Sequence, residues 1–353
     1  MTGSQDVPSA AVADEGATAS RTPVPIVFVG GTGRSGTHVI ARLLGRSMDL
    51  AAIPVECRFH AEERGFAGLL SGDVSKRAFR RRLRGFWWKG FQRFRFRGLH
   101  RFVERERFET ALARFDERFD GDPEGACRQL FLDLLWFRAE RKGAWGIVEQ
   151  STDVIAQGAV LARLFPEARF VHVVRDGRDA SASRVAQARW LVYPRTRRQG
   201  LEWWEQRMRR IAGGIAAIPP DRLLEVSIDE LVATRGPRAI APLAEFVGIN
   251  SGYRFRRYYK ARINAERANQ GRWRHGLAEE RAADIDRRYA EALGRLEADG
   301  LTAAPLLRRS LERSRAADPA SVPPIPYARA NVVPEGPAET AREAEDFGGA
   351  VRG

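Results

Sequence analysis

Lysine is almost missing from this chain: Lys76, Lys89, Lys142 and Lys260 are the only four in 353 residues, so arginine carries nearly all of the formal charge of +14. Arginine's planar fork matches phosphate and sulfate oxygens two at a time and suits an anionic partner, although a genome rich in Arg, Ala and Gly codons gives the same excess. Charge alone therefore admits nucleic acid, an acidic membrane surface or a polyanionic substrate, and selects none of them. Cysteine is scarce as well. Cys57 and Cys127 are too few for a disulfide framework at this length, and a reducing, cytoplasmic compartment is the simplest expectation. His38, His60, His100, His172 and His275 are scattered, without H-E-x-x-H or C-x-x-C spacing around them, so no metal is expected. No apolar run approaches the ~20 residues that span a bilayer. Asp6, Asp14 and Glu15 in the N-terminal stretch argue against a signal peptide.

What the chain does have is a glycine-rich turn at a telling place. Ile26-Val27-Phe28-Val29 reads as a strand buried on both faces, followed by Gly30-Gly31-Thr32-Gly33, then Arg34-Ser35-Gly36-Thr37-His38, then a helical pattern through Val39, Ile40, Leu43 and Leu44. Strand, glycine turn and helix start together aim backbone N–H groups and a helix dipole at one point, where an anion can sit. The Walker pattern requires Lys directly after the last glycine. Counted from Gly31 that glycine is Gly36, and Thr37 stands in the lysine position, while the cation is Arg34.

Further along, strands and helices alternate. Strands are expected at 145–149, 170–174 and 222–226, and helices at 37–47, 108–141, 154–165, 198–218 and 279–299, with Asp229 capping another. An extended connection is expected around Pro54. Alternation of this kind implies parallel pairing with right-handed crossovers, an α/β fold of a parallel sheet between two helical layers. Its ligands lie beyond the carboxyl ends of the strands, where the loops at 30–37 and 175–183 both fall. The domain is expected over 25–300, with a disordered tail at 1–24 and a largely disordered extension at 301–353. From Lys76 to Arg107 arginines mix with Phe86, Trp87, Trp88, Phe91, Phe94, Phe96 and Phe102. This insertion either docks an acceptor or an anionic membrane surface, or packs its aromatics on the core with its arginines in water; Phe91, Phe94 and Phe102 fit one helix face.

Arg34-Ser35-Gly36-Thr37 resembles the 5′-phosphosulfate loop of the sulfotransferases that use 3′-phosphoadenylyl sulfate. The second loop, Arg175-Asp176-Gly177-Arg178-Asp179-Ala180-Ser181-Ala182-Ser183, is similar to that family's 3′-phosphate motif, with Arg175 at a strand tip and Ser183 eight residues on. Leu164-Phe165-Pro166 before the strand and Val226-Ser227-Ile228-Asp229-Glu230-Leu231 after it also resemble the family. Ala268-Asn269-Gln270-Gly271-Arg272-Trp273-Arg274 matches in part its closing Gly-x-x-Gly-x-Trp-Lys loop. The resemblance spans residues 25–300 and implies a P-loop-type fold with donor contacts from Gly33, Arg34, Ser35, Gly36, Thr37, His38, Arg175, Ser183, Arg267, Gly271 and Arg272.

It implies sulfuryl transfer to a hydroxyl without a metal, with Arg34 stabilising the leaving phosphate. Glu56 stands where tyrosylprotein-type and several carbohydrate sulfotransferases carry a catalytic Glu, with Arg58 matching the former. His60 is the alternative base, as in the cytosolic small-molecule branch. The lysine of the tyrosylprotein type falls near Gln150 here, which turns the expected acceptor toward a glycan or glycolipid. No nucleic acid is expected as a partner. Two other readings stay open: a P-loop nucleotide kinase or hydrolase, and a protein that binds anionic surfaces through residues 76–107.

Overall fold

Ile26, Val27, Phe28 and Val29 are wholly buried and form the central strand β1 (Ile26–Gly30). Alternate side chains point to opposite faces of a strand, so Val27 and Val29 join one apolar core while Ile26 and Phe28 join the other. The structure, a computed structural model, describes residues 26–91, 96–187, 193–234 and 236–317. From β1 the chain enters α1 (Thr37–Leu44) and returns to β2 (Leu50–Ala52). Short helices α2 (Gly68–Ser71) and α3 (Lys76–Arg82) precede a two-stranded antiparallel pair, β3 (Gly90–Phe91) and β4 (Phe96–Arg97). Helices α4 (Arg105–Phe119), α5 (Pro123–Leu135) and α6 (Phe137–Lys142) then lead to β5 (Gly146–Glu149). Next come α7 (Gly158–Leu164), β6 (Arg169–Val174), α8 (Gly177–Gln187), α9 (Arg197–Ile215) and β7 (Leu223–Ser227). The remaining helices are α10 (Ile228–Thr234), α11 (Ala241–Phe246), α12 (Tyr253–Arg262), α13 (Ala265–Ala268), α14 (Glu279–Ala298) and α15 (Ala304–Ala316).

Five strands pair in parallel in the order β2-β5-β1-β6-β7. The order reverses around β1: β2 and β5 lie to one side, β6 and β7 to the other. A crevice therefore opens beyond the carboxyl ends of β1 and β6. Helices α1, α10 and α12 cover one face of the sheet, and α4, α5, α7, α8 and α9 the other. This is the expected three-layer α/β/α fold. Among the described residues no helix is long and apolar enough to cross a membrane.

Four local expectations are corrected. The stretch after α1 is not merely extended: residues 50–52 form the edge strand β2, which pairs with β5. The helix expected over 108–141 is three helices: the chain breaks at Gly121-Asp122-Pro123, where Asp122 Oδ1 accepts the Gly125 N–H and caps α5, and again at Trp136 before α6. Phe91 and Phe102 do not share a helix face, because a strand pair separates them; Phe94 lies outside the described residues. Instead, Phe79, Trp87 and Trp88 are buried in the main core and Phe102 stacks on Phe137, while Arg80, Arg82 and Arg84 pair with Asp116, Glu62 and Glu109. The start of the extension expected to be largely disordered is α15, which inserts Leu307 and Leu311 into the core; residues 318–353, like 1–25, lie outside the described residues.

Candidate active site

Between β1 and α1 the backbone turns through Gly33 at φ 84°, Arg34 at φ 61° and Gly36 at φ 100°. A left-handed residue suits glycine, and Arg34 holds that conformation at a cost that such loops accept when a ligand is to be gripped. Gly31 is required by proximity: a Cβ there would stand 2.5 Å from Ser35 Oγ and 2.5 Å from the Val173 carbonyl. Gly36 precedes α1 without any side-chain cap, so the first N–H groups of the helix face the crevice. Ser35 Oγ is buried and has no hydrogen-bond partner among the described residues. A buried hydroxyl and uncapped N–H groups at a helix start fit an anionic oxygen.

The second loop closes on the first. Arg34 Nε donates to Ser183 Oγ at 2.9 Å across 149 residues of sequence. Arg175 donates from Nη1 to the Arg34 carbonyl at 3.0 Å, and from Nη2 to the carbonyls of Ala268 at 2.5 Å and Asn269 at 3.3 Å. One guanidinium thus ties three loops together. The Arg34 pKa is lowered, by burial first and then by Arg175 and Arg184, with Glu56 acting in the opposite sense. Cations crowded into a partly dry crevice disfavour one another's charge, and an arriving anion relieves that repulsion.

Buried carboxylates brace the arrangement. Asp179 accepts the N–H groups of Gly271 at 2.8 Å and Trp273 at 3.1 Å, fastening the 271–273 turn to α8. Burial pushes Asp179 up to about 7, against the pull of nearby Arg175. Asp229, expected as a helix cap, instead accepts the Asp176 N–H at 2.8 Å and the Gln270 side chain at 3.1 Å. Ser227 Oγ takes the capping position, accepting the Glu230 N–H at 3.3 Å.

Glu56 sits half-buried beside the first loop. Its Oε2 accepts Arg58 Nε at 3.0 Å and Nη2 at 2.7 Å, and its Oε1 accepts Thr152 Oγ1 at 3.3 Å. The loop that carries it is held from below: Arg58 N donates to Ser151 Oγ at 2.9 Å, and Ser151 Oγ donates to Glu149 Oε1 at 2.6 Å. Glu149 is fully buried, with His60 Nε2 2.9 Å from its Oε2. Burial pushes the Glu149 carboxyl up, but His60 and the Ser151 bonds outweigh it and leave it below the usual range. His60 is therefore not placed as a base. Wholly buried among Phe28, Phe59, Phe66 and Phe131, it is a strut beneath the Glu56 loop.

A cavity of about 840 Å³ opens against the first loop. Ser35, Gly36, His38, Arg175 and Arg267 line it, so it gathers five of the expected donor contacts. Ser183 reaches the site through Arg34, and Arg272 sits in the turn whose flanking Gly271 and Trp273 N–H groups donate to Asp179. The His38 pKa is lowered by burial and by Arg42, with Glu56 opposing. The sequence reading missed Asp179 and Asp229 as clamps, and the Glu149–Ser151 support. The two aspartates stand in recognised motifs, but which N–H groups they accept depends on loops about 50 to 90 residues away.

A family model described as "Sulfotransferase family" matches residues 25–250. The chain belongs to the sulfotransferase family. No curated protein sequence matches it significantly. Among solved structures, the sulfotransferase domain of the Synechococcus PCC 7002 olefin synthase is 16% identical, over 85% of this chain and 97% of that one, with a TM-score of 0.44. A sulfotransferase from Alicyclobacillus acidocaldarius is 13% identical over 82% and 98%, also with a TM-score of 0.44. This sulfotransferase is thus an enzyme of sulfuryl transfer, and the matched segment contains both loops and Glu56.

Proposed function

We propose that the enzyme transfers the sulfuryl group of 3′-phosphoadenylyl sulfate to a hydroxyl of a saccharide or lipid-linked acceptor, in the manner of the tyrosylprotein and carbohydrate branch. The observation that carries the donor reading is the Arg34–Ser183 contact, with Arg175 bonded to the Arg34 carbonyl. Two anion-binding loops from adjacent strands meet there, as a donor with separate 5′ and 3′ phosphate groups demands. Ser35, Gly36, Thr37 and His38 would hold the phosphosulfate end, and Arg175, Ser183, Arg267, Gly271 and Arg272 the 3′-phosphate end.

In the transfer, the acceptor oxygen bonds to sulfur while its proton passes to the Glu56 carboxylate. The bond between sulfur and the 5′-phosphate oxygen breaks, and the electron pair stays on that oxygen. Arg34 and the N–H groups of Ser35, Gly36 and Thr37 stabilise the charge that builds there. Arg58 and Thr152 orient Glu56. The inward packing of Phe79, Trp87 and Trp88 favours the saccharide reading over docking on a membrane by those aromatics.

Calorimetric titration with adenosine 3′,5′-bisphosphate and with ATP tests the donor site. The bisphosphate should bind more tightly than ATP, insensitively to a chelator, and Arg34→Ala should abolish its binding. Preferential, Mg²⁺-dependent binding of ATP would replace this reading with a nucleotide kinase or hydrolase.

A further inference from the structure

The cavity continues past the donor loop along α1. His38, Arg42 and Arg46 recur at four-residue intervals on the outer side of α1 and just past its end, and all three line the cavity. Arg138 and Arg141 of α6 line the same cavity. Among the described residues no aspartate or glutamate lines it. From Gly36 to Arg42 is six residues, about 9 Å of helix at 1.5 Å per residue, so these arginines lie well down the groove from the first loop.

Elsewhere the chain pairs its arginines generously: Arg58, Arg80, Arg82, Arg84 and Arg105 each meet a carboxylate. In the groove, Arg42, Arg138 and Arg141 meet none among the described residues. Arg138 Nε is buried without a hydrogen-bond partner among them. Arg138 is lowered in pKa by burial and then by Arg141. Lys142 is committed elsewhere, donating to the carbonyls of Gly45 at 2.9 Å and Leu50 at 2.6 Å. Like charges spaced four apart on a helix repel and weaken it, and here α6 adds two more arginines to the same cavity.

We propose that this arm of the cavity is a second anion subsite that holds a phosphate or sulfate group carried by the acceptor, so that the substrate is a hydroxyl compound already phosphorylated or sulfated. The proposal rests on the reading of the first loop as the donor site. Arg42 from α1, with Arg138 and Arg141 from α6, would share the grip on that anion. The acceptor hydroxyl then points back along α1 toward the first loop.

The test uses the full chain saturated with adenosine 3′,5′-bisphosphate, titrated separately with glucose 6-phosphate, glucose and inorganic phosphate. Glucose 6-phosphate should bind without displacing the bisphosphate, and more tightly than inorganic phosphate, while glucose should not bind. Arg42→Ala/Arg141→Ala, two exposed positions, should weaken glucose 6-phosphate about tenfold or more, as expected for a lost charge-assisted bond, and leave bisphosphate affinity unchanged. Arg138→Gln should weaken it as well. Displacement of the bisphosphate would assign the arm to the nucleotide and overturn the proposal. Equal affinity for inorganic phosphate would overturn the acceptor as the source, and no effect of the arginine changes would overturn the site. Failure of the bisphosphate itself to bind would instead refute the donor reading.

Discussion

Replacing His60 with leucine separates a supporting histidine from a catalytic one. The side chain is wholly buried, its Nε2 is 2.9 Å from a wholly buried Glu149, and aromatic rings surround it at centroid distances of 5.0 to 6.5 Å. Leucine fills much of the same space, so the main loss is the partner of a buried carboxylate, which generally costs about 3–5 kcal/mol. Glu149 still accepts the Ser151 N–H and hydroxyl, which sets the expectation at the lower end, about 3 kcal/mol. At about 2–4 °C per kcal/mol, the unfolding midpoint should fall by roughly 6–12 °C. The assay is thermal unfolding by circular dichroism, with calorimetric titration of the bisphosphate at a temperature where both proteins are folded. Bisphosphate affinity should persist, because the cradle is built from β1 and β6. His60→Leu/Glu149→Leu should recover much of the loss, since no charge is then stranded. A midpoint within about 2 °C of the parent, with turnover abolished, would refute the supporting role and return His60 to the role of base.

Three further outcomes follow from the same geometry. Glu56→Gln should keep bisphosphate affinity and lose about 10²–10⁴-fold in turnover; undiminished turnover would reject Glu56 as the base. Gly31→Ala drives a Cβ against the Val173 carbonyl, so it should cost about 1–3 kcal/mol in urea unfolding and eliminate bisphosphate binding. Asp179 has its pKa raised from 3.8 to about 7 by burial, so between those values the folded chain keeps a proton that the unfolded chain releases. Its contribution to stability is full below the lower value and declines as pH rises toward the upper one. Asp179→Asn should flatten that part of the stability profile in denaturant titrations; an unchanged slope would place the titration elsewhere.

The parts of this protein that could be read before folding are those carried by short-range patterns. The apolar run of β1, the glycines after it and Arg34 define a strand, a turn and a cation within a dozen residues, and each does its work through the backbone beside it. Arg175 and Ser183 were legible for the same reason: a strand tip and the next helix position them by local geometry alone. The basic segment from Lys76 to Arg107 could be read only as a pair of alternatives, because a tryptophan in a cationic stretch looks alike whether it waits for a ligand or packs inward.

Packing decided what local pattern could not. His60 became a strut because four phenylalanines from separate elements close around it and Glu149 ends a neighbouring strand. Asp229 turned from a cap to a clamp because parallel pairing of β6 with β7 sets it beside Asp176, 53 residues away in sequence. Arginine composition admitted an anionic partner without selecting one, and it was silent on which arginines remain for one. The distinction appears only once the fold has matched Arg80, Arg82 and Arg84 to carboxylates and left Arg42, Arg138 and Arg141 along one groove, since an ion pair depends on distance in space and distance in space belongs to the tertiary structure.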